Sequence, residues 1–206
     1  MIPELQHIMD TGSFEDDGWV ELHTITWKED RVTLFFDVDS GVEDAEHLSL
    51  TIESVGPVAA SRFHDRGAGD ISIFDDHVLL WPYHRPQCDL FFRGNVPDPH
   101  SLLGALFETH ASATHGWFTL DDFEVQPDHL PRLLGGGYGK LAAGPDVLIE
   151  QYAEVLKRYG VEPSILTPRP PKLWDGQQWV EGGRELRVLV FGKSYCVASG
   201  FTVSQV

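Results

Sequence analysis

The chain has 206 residues, 42% of them hydrophobic and 11% aromatic, with a formal net charge of −17. That apolar share is ample for a packed core, so the acidity is not the signature of disorder; the same charge excludes the basic footprint of a nucleic-acid or anionic-membrane binder. The charge is also confined, since residues 1–125 carry 24 Asp+Glu against 6 Lys+Arg and residues 126–206 carry 8 against 9.

The chain opens Met1-Ile2-Pro3-Glu4 and runs into Glu15-Asp16-Asp17, with no basic start and no apolar run of signal-peptide length. No stretch approaches the roughly 20 apolar residues of a membrane-spanning helix. Strands follow. Trp19 to Trp27 reads as a weak strand, and the short polar loop Lys28 to Arg31 turns it into Val32–Val38, where positions 32, 34, 36 and 38 are apolar. Leu48–Glu53 alternates apolar and polar, the mark of an antiparallel strand with one wet face. Ile71–Ile73 and Asp89–Arg93 are two further short strands. Between them Pro82 and Pro86 require Trp81 to Pro86 to be a bend or loop.

Helices come next. Asp98-Pro99 is an N-cap with proline at the first helical position, followed by Leu102, Leu103, Leu106 and Phe107. A shorter helix is expected around Asp128 to Leu134. The clearest helix spans Pro145 to Tyr159, with an apolar stripe of Leu148, Ile149, Tyr152, Val155, Leu156 and Tyr159 and Gly160 as its stop. Pro163 to Pro171 reads as an extended connector, and Trp174 to Trp179 as a small turn around Asp175-Gly176. The chain closes with strands Leu186–Phe191 and Tyr195–Ala198 around Gly192-Lys193, a two-residue hairpin turn with Leu186, Val188 and Val190 as the buried face. The expectation is therefore one α+β domain over 1–206. Its mainly antiparallel sheet comes from the strand-rich N-terminal part (1–95), is joined by the hairpin that follows the Pro-rich connector (together 163–206), and is packed by two or three helices lying between them (96–162).

No catalytic signature survives inspection. The cluster Gly135-Gly136-Gly137-Tyr138-Gly139-Lys140 fails the phosphate-loop pattern because Leu134 and Leu141 stand where Gly and Ser/Thr are required, and it reads as an inter-helix loop. Asp37-Val38-Asp39-Ser40-Gly41 resembles a calcium loop only at its start, since glycine comes one position early. His77, His84, His110 and His115, with Asp121-Asp122 nearby, are the candidate ligands of a hydrolytic metal site, yet no motif ties them to one helix face. Cys88 and Cys196, 108 positions apart, have no protease surround and fall within predicted strands, which points to buried thiols and a reducing cytoplasm.

What remains is the acidity. The charge pattern implies a non-catalytic binding protein that needs no cofactor and presents Asp16, Asp17, Asp37, Asp39, Glu43, Asp44, Glu46, Asp75 and Asp76 to a basic protein partner. The opening pattern, Gly18-Trp19 through a hairpin to Val38 and then Leu48 to Val55, is similar to that of small acidic bacterial immunity proteins, over less than a quarter of the chain. The resemblance implies an immunity or antitoxin role, or one of nucleic-acid mimicry. The alternatives are a metal-dependent hydrolase using the His/Asp cluster and a subunit of a larger bacterial assembly.

Overall fold

The structure is a computed structural model that describes residues 18–39, 48–68, 71–125, 129–174, 177–181 and 185–205. It is a mixed α+β chain that divides into two compact units, one bounded by Met1–Leu80 and Arg184–Val206, the other by Trp81–Gly183.

The first unit is built of two antiparallel sheets. Strands β1 (Trp19–Lys28), β2 (Arg31–Asp39) and β3 (Leu48–Val55) form a meander. The two-residue β5 (Gly67–Ala68) lies outside β1, and β14 (Gly200–Gln205) lies outside β3. The second sheet has the order β4 (Ala60–Arg62), β13 (Ser194–Ala198), β12 (Arg187–Phe191), β6 (Ile71–Phe74). Alternation drives the packing. Val32, Leu34, Phe36 and Val38 of β2 and Leu50 and Ile52 of β3 all turn inward to meet Ile71, Leu189, Phe191 and Cys196. Phe36 and Phe191 meet edge to face, with centroids 5.1 Å apart.

The closing hairpin joins strands of the N-terminal half as expected, but in the second sheet and not in the meander: β12 pairs with β6 and β13 with β4. Val188 and Leu189 are both fully buried, so β12 is covered on both faces and sits inside the second sheet. Of the expected buried face, Leu186 and Val188 are buried and Val190 is only half-buried, while Leu189 and Phe191 enter the core shared with the meander. The strand that does join the meander is β14, which the sequence reading left out. The hairpin turn itself is as expected, with Phe191 opposite Ser194 and Gly192 at φ 53. A side chain there would meet Asp65 Oδ2 at 2.8 Å, so glycine is required twice over.

In the second unit β7 (Gln87–Arg93) runs between β8 (Tyr138–Pro145) and β9 (Glu162–Ile165), antiparallel to both. Trp81–His84 forms one helical turn, α1, where a bend was expected. Helices α2 (Pro99–Thr114), α3 (Leu130–Gly135) and α4 (Asp146–Arg158) cover this sheet. The α4 stripe Leu148, Ile149, Tyr152, Val155 and Leu156 is buried as its periodicity requires, and Gly160 ends the helix at φ 72. On α2 the buried line is Leu102, Leu106, His110 and Thr114, with Phe107 59% exposed; the i, i+4 row won over the broader stripe read from the sequence. Asp98 caps this helix by accepting from the Ser101 amide at 3.0 Å.

Two expected loops in this unit are partly strands. The glycine cluster runs from the end of α3 directly into β8, whose Leu141 and Ala142 are both buried, so no alternation marked it. Gly144 in β8 seats the Phe123 ring, which would lie 2.7 Å from an added Cβ. The start of the proline-rich connector is β9, with Pro163 on the sheet edge where its missing N–H costs no ladder bond. Asp89 then ties the connector down, accepting from Arg169 at 2.6 Å and Lys140 at 2.8 Å. Strands β10 (Lys172–Trp174) and β11 (Trp179–Glu181) form the ladder around the expected turn, whose Asp175 and Gly176 lie outside the described residues.

Candidate functional site

The acids that the structure brings together lie at the open end of the β1–β2 hairpin. Trp19 stands opposite Asp39, Glu21 opposite Asp37, and Asp37 opposite Ser49. All point away from the core, because their neighbours Val20, Leu22, Phe36 and Val38 are buried. Trp19, Glu21, Asp37 and Asp39 line a hollow of about 320 Å³, with Val38 and Leu48 completing it. Two of the carboxylates are oriented from within the site: Trp19 Nε1 donates to Asp39 Oδ2 at 3.3 Å, and Ser49 Oγ donates to Asp37 Oδ1 at 2.8 Å. Among the described residues the lining holds no lysine or arginine. Trp19 is 47% exposed, which leaves an aromatic face beside the carboxylates.

Glu21 and Trp19 were missed in the sequence, and a single irregularity explains why. The tight turn pairs Lys28 with Arg31, and from that register Glu21 would meet Val38. A β-bulge between Leu22 and Thr24 takes up one residue, His23, and moves Glu21 opposite Asp37. It also flips the side-chain parity. Val20 and Leu22 face the core before the bulge, and Ile25 packs there after it.

The other expected acids are placed differently or not at all. Asp16, Asp17, Glu43, Asp44 and Glu46 lie outside the described residues. Asp75 and Asp76 follow β6 in the second sheet, both exposed, and Asp75 already accepts from Arg187 at 2.7 Å. The structure therefore joins Asp37 and Asp39 but does not place Asp75-Asp76 in their hollow.

The four candidate metal-binding histidines are not gathered. His77, in the first unit, takes the Leu79 amide on Nδ1 at 3.2 Å and stacks on Phe74. His84 is exposed at the end of α1, and His115 is exposed in left-handed conformation just past α2. His110 is only 3% exposed and has both ring nitrogens engaged: Nε2 lies 2.8 Å from the Phe118 carbonyl, and Nδ1 lies 2.7 Å from the Tyr152 hydroxyl. A carbonyl only accepts, so Nε2 carries the proton and a neutral ring takes the Tyr152 proton on Nδ1. Burial holds the Tyr152 hydroxyl far above its ordinary pKa, consistent with its serving as that donor. Asp122 accepts from the Thr119 amide and hydroxyl, a capping role. Among the described residues no group of three or more His, Cys, Asp or Glu is placed to hold a metal ion.

Both cysteines are buried and unpaired, as expected from their strands. Burial pushes the Cys196 thiol up to about 12; it also raises Cys88, with the Asp146 charge adding to the effect, so neither is a ready thiolate. No helix among the described residues is long and apolar enough to cross a membrane. Comparison with protein-family models, with curated proteins and with solved structures returns no match for this chain.

Proposed function

We propose that this chain is a non-catalytic binding protein whose acidic sheet end engages a basic protein partner, in the manner of an immunity protein, an antitoxin or a nucleic-acid mimic. One observation carries the reading: Glu21, Asp37 and Asp39 share a hollow whose lining, among the described residues, includes no lysine or arginine. Like charges directly opposite on neighbouring strands destabilise a sheet, and two unit charges 4 Å apart in water repel by about 1 kcal/mol. A lysine or arginine brought by a partner turns that repulsion into attraction. Arginine fits best, since its planar fork pairs with carboxylates and its face stacks on an indole such as Trp19. The neutral remainder of the chain adds no competing field, because residues 126–206 sum to only +1. We place the protein in the cytoplasm, a reading supported by two buried, unpaired thiols in separate units.

The test is affinity capture from the native cell with the wild-type chain and with a Glu21→Lys/Asp37→Lys variant. A basic protein retained by the first, lost by the second and released by raised salt supports the reading. Capture of only neutral or acidic proteins, indifferent to salt, overturns it.

A further inference from the structure

We infer that a second hollow in the first unit, between β1 and the loop after β4, binds a small organic oxyanion: a phosphate or carboxylate group carried on a flat apolar body. The hollow measures about 350 Å³, within the range of small-molecule sites of roughly 300–1,000 Å³. His23, His64 and Arg66 supply its polar lining, and Ile25 and Phe63 its apolar lining.

The site is built on fixed backbone. Ser194 is fully buried, and its Oγ accepts from the amides of His64 and Asp65 at 2.8 Å each while donating to the Asp65 carbonyl at 3.1 Å. The Asp65 carboxylate accepts from the Lys193 amide at 2.7 Å, and the Leu22 amide donates to the Arg66 carbonyl. The loop is thus pinned to the β12–β13 turn and to β1 before any ligand arrives, which lowers the ordering cost of binding. His23 is the residue taken up by the bulge in β1, a device that re-aims a side chain.

Chemistry selects the ligand. Among the described residues Arg66 forms no ion pair and makes no ring contact, and the imidazoles of His23 and His64 make no hydrogen bond. Three uncommitted donor groups therefore surround one hollow. Among the described residues its one carboxylate is Asp65, whose Oδ2 accepts from the Lys193 amide of the turn, and Glu21 lines the other hollow. The His64 and Asp65 amides are spent on Ser194, so recognition falls to the side chains, and a guanidinium fork matches a carboxylate or phosphate. Phe63 provides a fixed wall for the apolar body, because it stacks on Phe191 with centroids 6.3 Å apart and meets Trp27 edge-on at 6.4 Å.

The experiment titrates the full chain calorimetrically with phenyl phosphate, benzoate, inorganic phosphate and benzylamine, and follows the ring-proton resonances of His23 and His64 in parallel. Phenyl phosphate or benzoate should saturate with a Kd below about 1 mM and shift both imidazoles, the tighter of the two naming the oxyanion. Inorganic phosphate should bind about tenfold more weakly, and benzylamine should not bind. Arg66→Gln, at an exposed position, should weaken binding about tenfold or more, whereas Arg31→Gln, outside the hollow at the β1–β2 turn, should leave it unchanged. Failure of both aromatic anions to saturate, unmoved imidazole resonances, or equal loss in the two arginine variants would overturn the assignment.

Discussion

Tyr152→Phe isolates one hydrogen bond in the core of the second unit. The phenyl ring stays, so the packing of a fully buried side chain is kept and only the hydroxyl 2.7 Å from His110 Nδ1 is lost. His110 Nε2 is committed to donating to the Phe118 carbonyl, which leaves Nδ1 as a buried acceptor with no donor. Leaving such a group unsatisfied costs about 1–3 kcal/mol, more than the ~1 kcal/mol that the bond contributes on average. For a unit of this size that is a fall in Tm of at least about 4 °C. Denaturant unfolding followed by circular dichroism measures the loss, and hydrogen exchange should localise it to α2 and α4. The double variant His110→Leu/Tyr152→Phe leaves no unpaired atom at the pair itself and orphans only the Phe118 carbonyl, so it should lose less stability than the sum of the two single variants. Wild-type stability in Tyr152→Phe, or a double variant less stable than the sum of its singles, would refute the tautomer and the pairing together.

Leu156→Ala should cost about 2–5 kcal/mol by lost burial and a cavity, whereas Glu154→Ala, which breaks an exposed pair with Lys157 at 2.6 Å, should cost under about 0.5 kcal/mol in the same unfolding titration. Ser194→Ala should destabilise the first unit by about 1–3 kcal/mol, read as faster exchange of the His64 and Asp65 amides that it leaves without an acceptor. Alkali should weaken both units. The Cys196 thiol is neutral in the fold up to about pH 12 but ionises from about 9 when unfolded, so the unfolded state binds fewer protons and stability falls across that window. Cys196→Ala should flatten this slope in a pH series of melting curves. In the second unit Tyr152, raised by burial, and Lys140, raised by its bonds to Asp89 and Glu124, both stabilise below about pH 10 and lose that contribution above it.

Local rules carried the reading wherever one period and one set of caps acted alone. The α4 stripe, the Asp98 cap, the Gly160 stop and the Gly192-Lys193 turn all follow from residues within a few positions of one another. What escaped was parity and partnership. Trp19–Trp27 reads weakly because its apolar residues change phase at His23, and that change of phase is itself the bulge. Asp37 and Asp39 could be named from the sequence, whereas Glu21 and Trp19 join them only through the shifted register. Strands β8 and β12 are buried too completely to alternate, so their place in a sheet depends on distant partners that no local pattern specifies. The histidines misled by count, since a buried His110 between a hydroxyl and a carbonyl looks in sequence like a candidate ligand.

The central claim is most directly tested by the association rate of the captured basic partner, measured by stopped flow at physiological and at raised ionic strength. Glu21→Lys/Asp37→Lys should slow association about tenfold or more and largely remove its salt dependence, since steering acts through exposed charge within a Debye length of about 8 Å. Asp75→Lys/Asp76→Lys, which breaks only the pair with Arg187 in the other sheet, should change the rate far less. Equal slowing by the two variants, or a wild-type rate that salt leaves unmoved, would contradict the assignment of binding to the Trp19–Asp39 hollow.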